Sequence, residues 1–251
     1  MRQTVKHIVR RITAPILSRM PIREWPAVMG RIHDLSIPKG VVSHPRPEPR
    51  GPADINILLV LLERTLALEG AVAECGVYRG RTLVAMAIHL QQSGSGKAVY
   101  GFDSFQGFGN VIQHDLQLPI AEVNPALASH GFADTSFSLV DRKLRLFRLS
   151  NTILVPGYFE TSLLQCSERR FSFVHLDCDA YASYKQCLGH FYPLMVEGGI
   201  IALDEYDDPH WPGCNEAVDE FLQGRGEQLH QICLDNHIKY YFTKRAGGVR
   251  K

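Results

Sequence analysis

No apolar run in this 251-residue chain approaches the roughly 18 residues that would carry a helix across a bilayer, the longest lying around Ile55 to Leu62. A transmembrane helix is therefore not expected. Lys6, Arg10 and Arg11 interrupt the N-terminal apolar residues, so no continuous secretory signal is expected either. The six cysteines include no CxxC pair and no close Cys/His spacing suited to zinc. They read as reduced thiols, mostly set in apolar runs as core residues, and a cytoplasmic location is the default expectation. Net charge is almost lacking as well, at +1, which argues against a general nucleic-acid binder. Neither an internal repeat nor a low-complexity segment is present.

What is present suits a globular enzyme-sized domain: 45% of residues are hydrophobic and 21% charged, a mixture that can offset the entropy of ordering the chain. The charge is unevenly placed, with ten Lys/Arg against three acids in residues 1–50, so a basic arm is attached to a mildly acidic body. Val5, Ile8, Val9, Ile12 and Ile16 recur at helical spacing among the basic residues. Three readings of this helix stay open: packing on the domain or a second subunit, contact with a membrane surface, and a cleaved leader. Five prolines between Pro38 and Pro52 then disfavour regular structure. The expected division is 1–52 as helix and linker and 53–251 as one domain.

From residue 53 onward a helix is expected over Ala53 to Glu69, after which strand-like and helical patterns alternate. Strands are expected at Ala71 to Cys75, Ala98 to Phe102, Thr152 to Val155, Phe171 to Asp177 and Gly199 to Asp204. Helices fit Arg81 to Gln91, Tyr181 to Tyr192 and Cys214 to Leu222. This alternation predicts an α/β fold, a doubly wound and mostly parallel sheet. Leu229 to Leu234 and Ile238 to Thr243 flank a short connection, which predicts a C-terminal antiparallel hairpin.

Four stretches carry chemistry. Ala73 to Thr82 runs from a strand through a glycine turn into a helix, a corner that lets backbone approach a nucleotide-like ligand. Its Gly76 and Gly80 have Gly-x-x-x-Gly spacing, short of the three-glycine dinucleotide signature. Asp103, at the tip of the second strand, is placed to accept hydrogen bonds from the ribose hydroxyls of an adenosine, with Ser104 beside it. Asp177 and Asp179 end an apolar strand; in extended backbone they share a face, and two such charges need a cation or a shared proton. Asp204 and Glu205 end the next strand, beside Asp177, and three carboxylates there suit magnesium or another divalent cation.

At these residues the chain resembles the macrocin O-methyltransferase family of the TylF type, which includes enzymes that methylate sugar hydroxyls in macrolide and aminocoumarin antibiotics, and in which the region matching 1–52 contributes to a lid and to oligomer contacts. The resemblance rests on AECGVYRG, YGFDSFQGF, VPGYFETSL, HLDCDAYASYKQCLGHFYPLMVEGGIIALDEYD and PGCNEAVDEF, between about Leu68 and Lys244. It implies a class I, Rossmann-like methyltransferase fold of seven strands, S-adenosylmethionine as donor and a required divalent metal. By position, Glu74, Gly76, Tyr78, Gly80 and Thr82 would contact the methionine end of the donor, and Asp103 and Ser104 its ribose side. Asp177, Asp204 and Glu205 would hold the metal, and Asp179 would be the general base, with His175 and His210 next in line. The family shows two aspartates before its tyrosine, whereas this chain has Asp204-Glu205-Tyr206, so the second carboxylate is one methylene longer.

The implied reaction is methylation of a hydroxyl on a small acceptor, a sugar or glycoside, by a homo-oligomer that does not bind nucleic acid. Two alternatives stand beside it. A nicotinamide oxidoreductase also uses a glycine turn and an acidic strand tip, and a methyltransferase-like chain can persist as a catalytically silent binding subunit.

Overall fold

A computed structural model describes residues 52–109, 112–118, 131–234 and 237–246. The basic helix and proline-rich linker expected in residues 1–51 lie outside the described residues, as does much of the loop between Gly107 and Ser138. The elements, in chain order, are α1 (Pro52–Glu63), β1 (Ala71–Cys75), α2 (Arg81–Gln92), β2 (Val99–Asp103), α3 (Phe137–Phe147), β3 (Thr152–Pro156), α4 (Phe159–Ser162), β4 (Phe171–Leu176), α5 (Tyr181–Leu194), β5 (Met195–Leu203), α6 (Pro212–Leu222), β6 (His230–Leu234) and β7 (His237–Thr243). Short 3-10 turns occupy Asp115–Gln117 and Leu163–Cys166.

The seven strands form one sheet in the order β3-β2-β1-β4-β5-β7-β6. All pairs from β3 to β5 are parallel, while β7 pairs antiparallel with β5 and with β6. The expected architecture and hairpin are both found. The chain moves outward from β1 to β3, then returns to place β4 on the other side of β1, so a crevice opens at the carboxyl ends of β1 and β4.

Strand alternation builds a core on each face. Val72, Val99, Phe173 and Ala202 pack with α1, α2 and α3, whereas Ala73, Phe102, Val174 and Leu203 pack with α5 and α6. Every residue of β4 is buried, as expected for a central parallel strand covered on both sides. Five of the cysteines are buried, and only Cys233, on the edge strand β6, is exposed. Among the described residues, no helix is long and apolar enough to cross a membrane.

Two local departures from expectation have physical causes. Helix α1 stops at Glu63 rather than Glu69, because the Thr65 hydroxyl donates to the Leu62 carbonyl at 2.8 Å and the chain turns there. Helix α3 was not expected at all. It buries Val140, Leu144 and Phe147 on one side, starts at Ser136, whose side chain accepts the Leu139 amide, and ends in a left-handed residue, Arg148.

Candidate active site

The crevice is built from backbone first. After β1 the chain turns at Gly76, with φ of 91°, and the Asp177 amide donates to the Cys75 carbonyl at 2.9 Å. A Cβ on Gly76 would lie 1.7 Å from the Asp177 carbonyl oxygen, so only glycine fits this crossing of the loops after β1 and β4. The turn closes at Gly80, which caps α2 in a left-handed conformation. Thr82 then lies in the first turn of α2, half-buried.

Asp103 takes two short bonds to its carboxylate, from the Tyr78 amide and the Phe105 amide, each at 2.6 Å. Burial pushes its pKa up, and these backbone amides pull it back down. A carboxylate offers about four acceptor positions, so these amides do not use up its capacity. Ser104 shapes the following turn: its hydroxyl donates to the Gly107 carbonyl at 2.8 Å and accepts the Gln106 amide at 3.0 Å.

Asp177, Asp204 and Glu205 come together, each offering one ligand oxygen within 4.8 Å of the others. Asp204 joins the sheet ladder through its amide, which donates to the Leu176 carbonyl at 2.9 Å. Glu205 is fully buried, and its Oε2 accepts the Tyr184 hydroxyl at 2.6 Å and the Asp179 amide at 3.4 Å. The extra methylene noted in the sequence thus reaches inward to α5, where the same Tyr184 hydroxyl oxygen lies 2.9 Å from the Leu176 carbonyl.

Asp179 is not positioned as extended backbone would place it. Strand β4 ends at Leu176, and Asp179 has φ of 59°, in the left-handed region that aspartate tolerates. Strand alternation therefore does not set its direction relative to Asp177. Its amide is held by Glu205, so the candidate base and the candidate metal ligand are connected through a main-chain bond.

His175 lies between two of the acids. Its Nδ1 lies 3.1 Å from Glu74 Oε1 and its Nε2 3.3 Å from Asp204 Oδ1, with all three side chains buried. Burial raises the Glu74 pKa well above its ordinary value, and the charges of Asp177 and Asp103 add to the effect. Glu74, His175 and Asp177 form a second close group. Its nitrogen donor is occupied by carboxylates, and a hard ion such as magnesium prefers oxygen, so the group of Asp177, Asp204 and Glu205 suits that ion better. His210 is exposed and pairs with Asp208 at 2.8 Å.

Sequence reasoning missed the anchor of the covering segment. Asp134 accepts the Tyr78 hydroxyl at 2.7 Å and pairs with Arg79, while Lys143 of α3 donates to the Arg79 carbonyl at 2.6 Å. Phe132 packs edge-on against both Tyr78 and Phe108, and Phe108 meets Trp211. The charged Arg79, embedded in a glycine turn, was the available signal, but its partner lies 55 positions away.

A family model of TylF macrocin-O-methyltransferase matches residues 59–242. The chain belongs to the macrocin-O-methyltransferase (TylF) family. A similar curated member, demethyldecarbamoylnovobiocin O-methyltransferase of Streptomyces niveus, is 28% identical over 159 residues, covering 61% of this chain and 58% of that protein. The chain thus spans less than two thirds of that relative. Two solved methyltransferases have a similar fold. The O-methyltransferase NovP gives a TM-score of 0.67 at 23% identity, over 78% of this chain and 81% of NovP. The calicheamicin methyltransferase CalS11 gives 0.64 at 22% identity, over 88% and 92% of the two chains. At these identities the superpositions establish a shared fold.

Proposed function

We propose that this TylF-family chain is an S-adenosylmethionine-dependent, divalent-metal-assisted O-methyltransferase that acts on a hydroxyl of a sugar or sugar-bearing natural product. The observation that carries the reading is the convergence of Asp177, Asp204 and Glu205 beside the Gly76 turn and Asp103. The names of the relatives support the acceptor class: demethyldecarbamoylnovobiocin for one and calicheamicin for the other.

Within this reading each residue has a task. Asp103 holds the ribose diol with the acceptor positions its backbone bonds leave open. Glu74, Gly76, Tyr78, Gly80 and Thr82 border the methionine end, and Ser104 shapes the adenosine side. The oxygen donor set of Asp177, Asp204 and Glu205 fits a magnesium-sized ion, which when bound would lower the pKa of a hydroxyl and align it. Asp179, held by Glu205, removes the hydroxyl proton as the acceptor oxygen attacks, a task that contributes about 10²- to 10⁴-fold. Aromatic cover from Phe108, Phe132 and Trp211 excludes water from one flank.

Titration calorimetry with S-adenosylhomocysteine, with NADH and with manganese tests the proposal. Tight binding of the first and of the metal is expected, together with methyl transfer to a nucleotide-sugar or glycoside acceptor that stops in excess EDTA. Preferential NADH binding would transfer the assignment to the oxidoreductase alternative, and full turnover in EDTA would remove the metal.

A further inference from the structure

The acid group meets a cation that belongs to the protein. Asp204 Oδ1 accepts from the Lys239 ammonium as well as lying 3.3 Å from His175 Nε2. Both members of the Lys239–Asp204 pair are only 4% exposed. Register explains the meeting: Leu203 pairs with Tyr240 across β5 and β7, so the next residue along each strand, Asp204 and Lys239, face each other just beyond the paired stretch. Strand β6 completes the arrangement on the other side of β7, with Ile232 opposite Lys239.

An ammonium buried this deeply is tolerated only when an opposite charge compensates its lost hydration. The three carboxylates, for their part, carry three negative charges within a few ångströms. A divalent ion alone would leave one charge in excess, whereas a divalent ion together with Lys239 balances the set. We propose that Lys239 is a positioning residue and resident counter-charge: it holds Asp204 in place before any ion arrives, and it keeps affinity for that ion low. The inference rests on the metal reading above and concerns a residue that supplies no ligand.

The structure-derived expectation has two opposed parts. Without the ammonium, the metal-free carboxylates repel one another unopposed and the protein loses stability. A divalent ion then meets the same three carboxylates with one fewer positive neighbour, and binds more tightly. At charge separations of a few ångströms near a protein surface, the gain should be about tenfold or more.

The test is manganese titration followed by electron paramagnetic resonance on the full chain, for wild type, Lys239→Met and Lys239→Arg, with thermal unfolding in EDTA and in manganese. S-adenosylhomocysteine binding serves as the check of folding. Lys239→Met should bind manganese about tenfold or more tightly than wild type, and its unfolding midpoint should fall in EDTA and recover in manganese. Lys239→Arg, which keeps the charge, should stay close to wild type. Should Lys239→Met not fold, Lys239→Gln supplies the same neutral comparison. Equal or weaker manganese binding by the folded neutral variant overturns the role of Lys239 while leaving the metal site intact. Binding by the neutral variant alone would support it. If neither protein binds manganese, the metal reading falls and this inference falls with it.

Discussion

Gly76 and Asp177 cross so closely that the α-hydrogen of one occupies the only space the carbonyl of the other leaves, a Cβ at that point standing 1.7 Å from the oxygen. The turn proposed to hold the donor and the loop that starts the acid group are therefore a single packed unit. Gly76→Ala should separate them and also strain a backbone at φ of 91°. Loss of both S-adenosylhomocysteine and manganese binding is expected, with destabilisation of about 2 kcal/mol or more, measured by urea unfolding. Donor binding at wild-type affinity would contradict the coupling.

The two aspartates after β4 should separate in function. Asp177→Asn is expected to lose manganese binding and turnover together. Asp179→Asn leaves in place the backbone amide that meets Glu205, so it should keep the metal, and it should lose about 10²- to 10⁴-fold in kcat. Calorimetry and single-turnover kinetics distinguish these outcomes; equal metal loss in both variants would place Asp179 among the ligands.

Glu74 is buried at a cost in stability. Its folded pKa is raised by burial first and then by Asp177 and Asp103, so the stability linked to its protonated form is present at low pH and lost as pH rises through the folded value. Glu74→Gln should remove that loss, raising the unfolding midpoint of the ligand-free protein near and above neutral pH by about 2–4 °C per kcal/mol recovered. The same variant should weaken S-adenosylhomocysteine binding. Calorimetric unfolding across pH 5–9 provides the check, with the flattened pH profile as the signature.

Lys143 should act in the opposite direction along the pH axis. Burial, and then the charge of Arg79, push its pKa from the ordinary 10.5 to about 8. Between those two values the unfolded chain binds more protons than the folded one, so stability should rise with pH across this window and be reduced below about 8. Lys143→Met should abolish the rise and stabilise the protein at pH 7 by about 1–2 kcal/mol, after loss of the bond to the Arg79 carbonyl. A steeper alkaline rise in the variant would refute the assignment.

Much of this arrangement was legible in the sequence because it is local. Apolar alternation located all seven strands within a few residues, and the Gly76 turn, Asp103, Asp177 and Asp204 each announce themselves at a strand end. What stayed hidden depends on register or on distant partners. Lys239 stands as an isolated cation in an alternating strand until the antiparallel pairing sets it opposite Asp204. Tyr184 reads as one more apolar helix residue until α5 packs beneath Glu205. Asp179 was placed by strand alternation, which ends three residues before it, at Leu176. Helix α3, too, gains its meaning only from the contacts of Lys143 and Val140 with Arg79 and Gly80.

The first turn of α5 lacks a capping side chain at Ala180. Its Tyr181 amide is instead taken by both carboxylate oxygens of Asp115, each at 3.2 Å and 66 positions earlier in the chain. The helix that carries Tyr184 to Glu205 thus begins cleanly only once a remote stretch of polypeptide has docked. The acidic corner is consequently braced by a segment that belongs neither to the sheet nor to the helix, and its firmness is a property of the assembled tertiary structure.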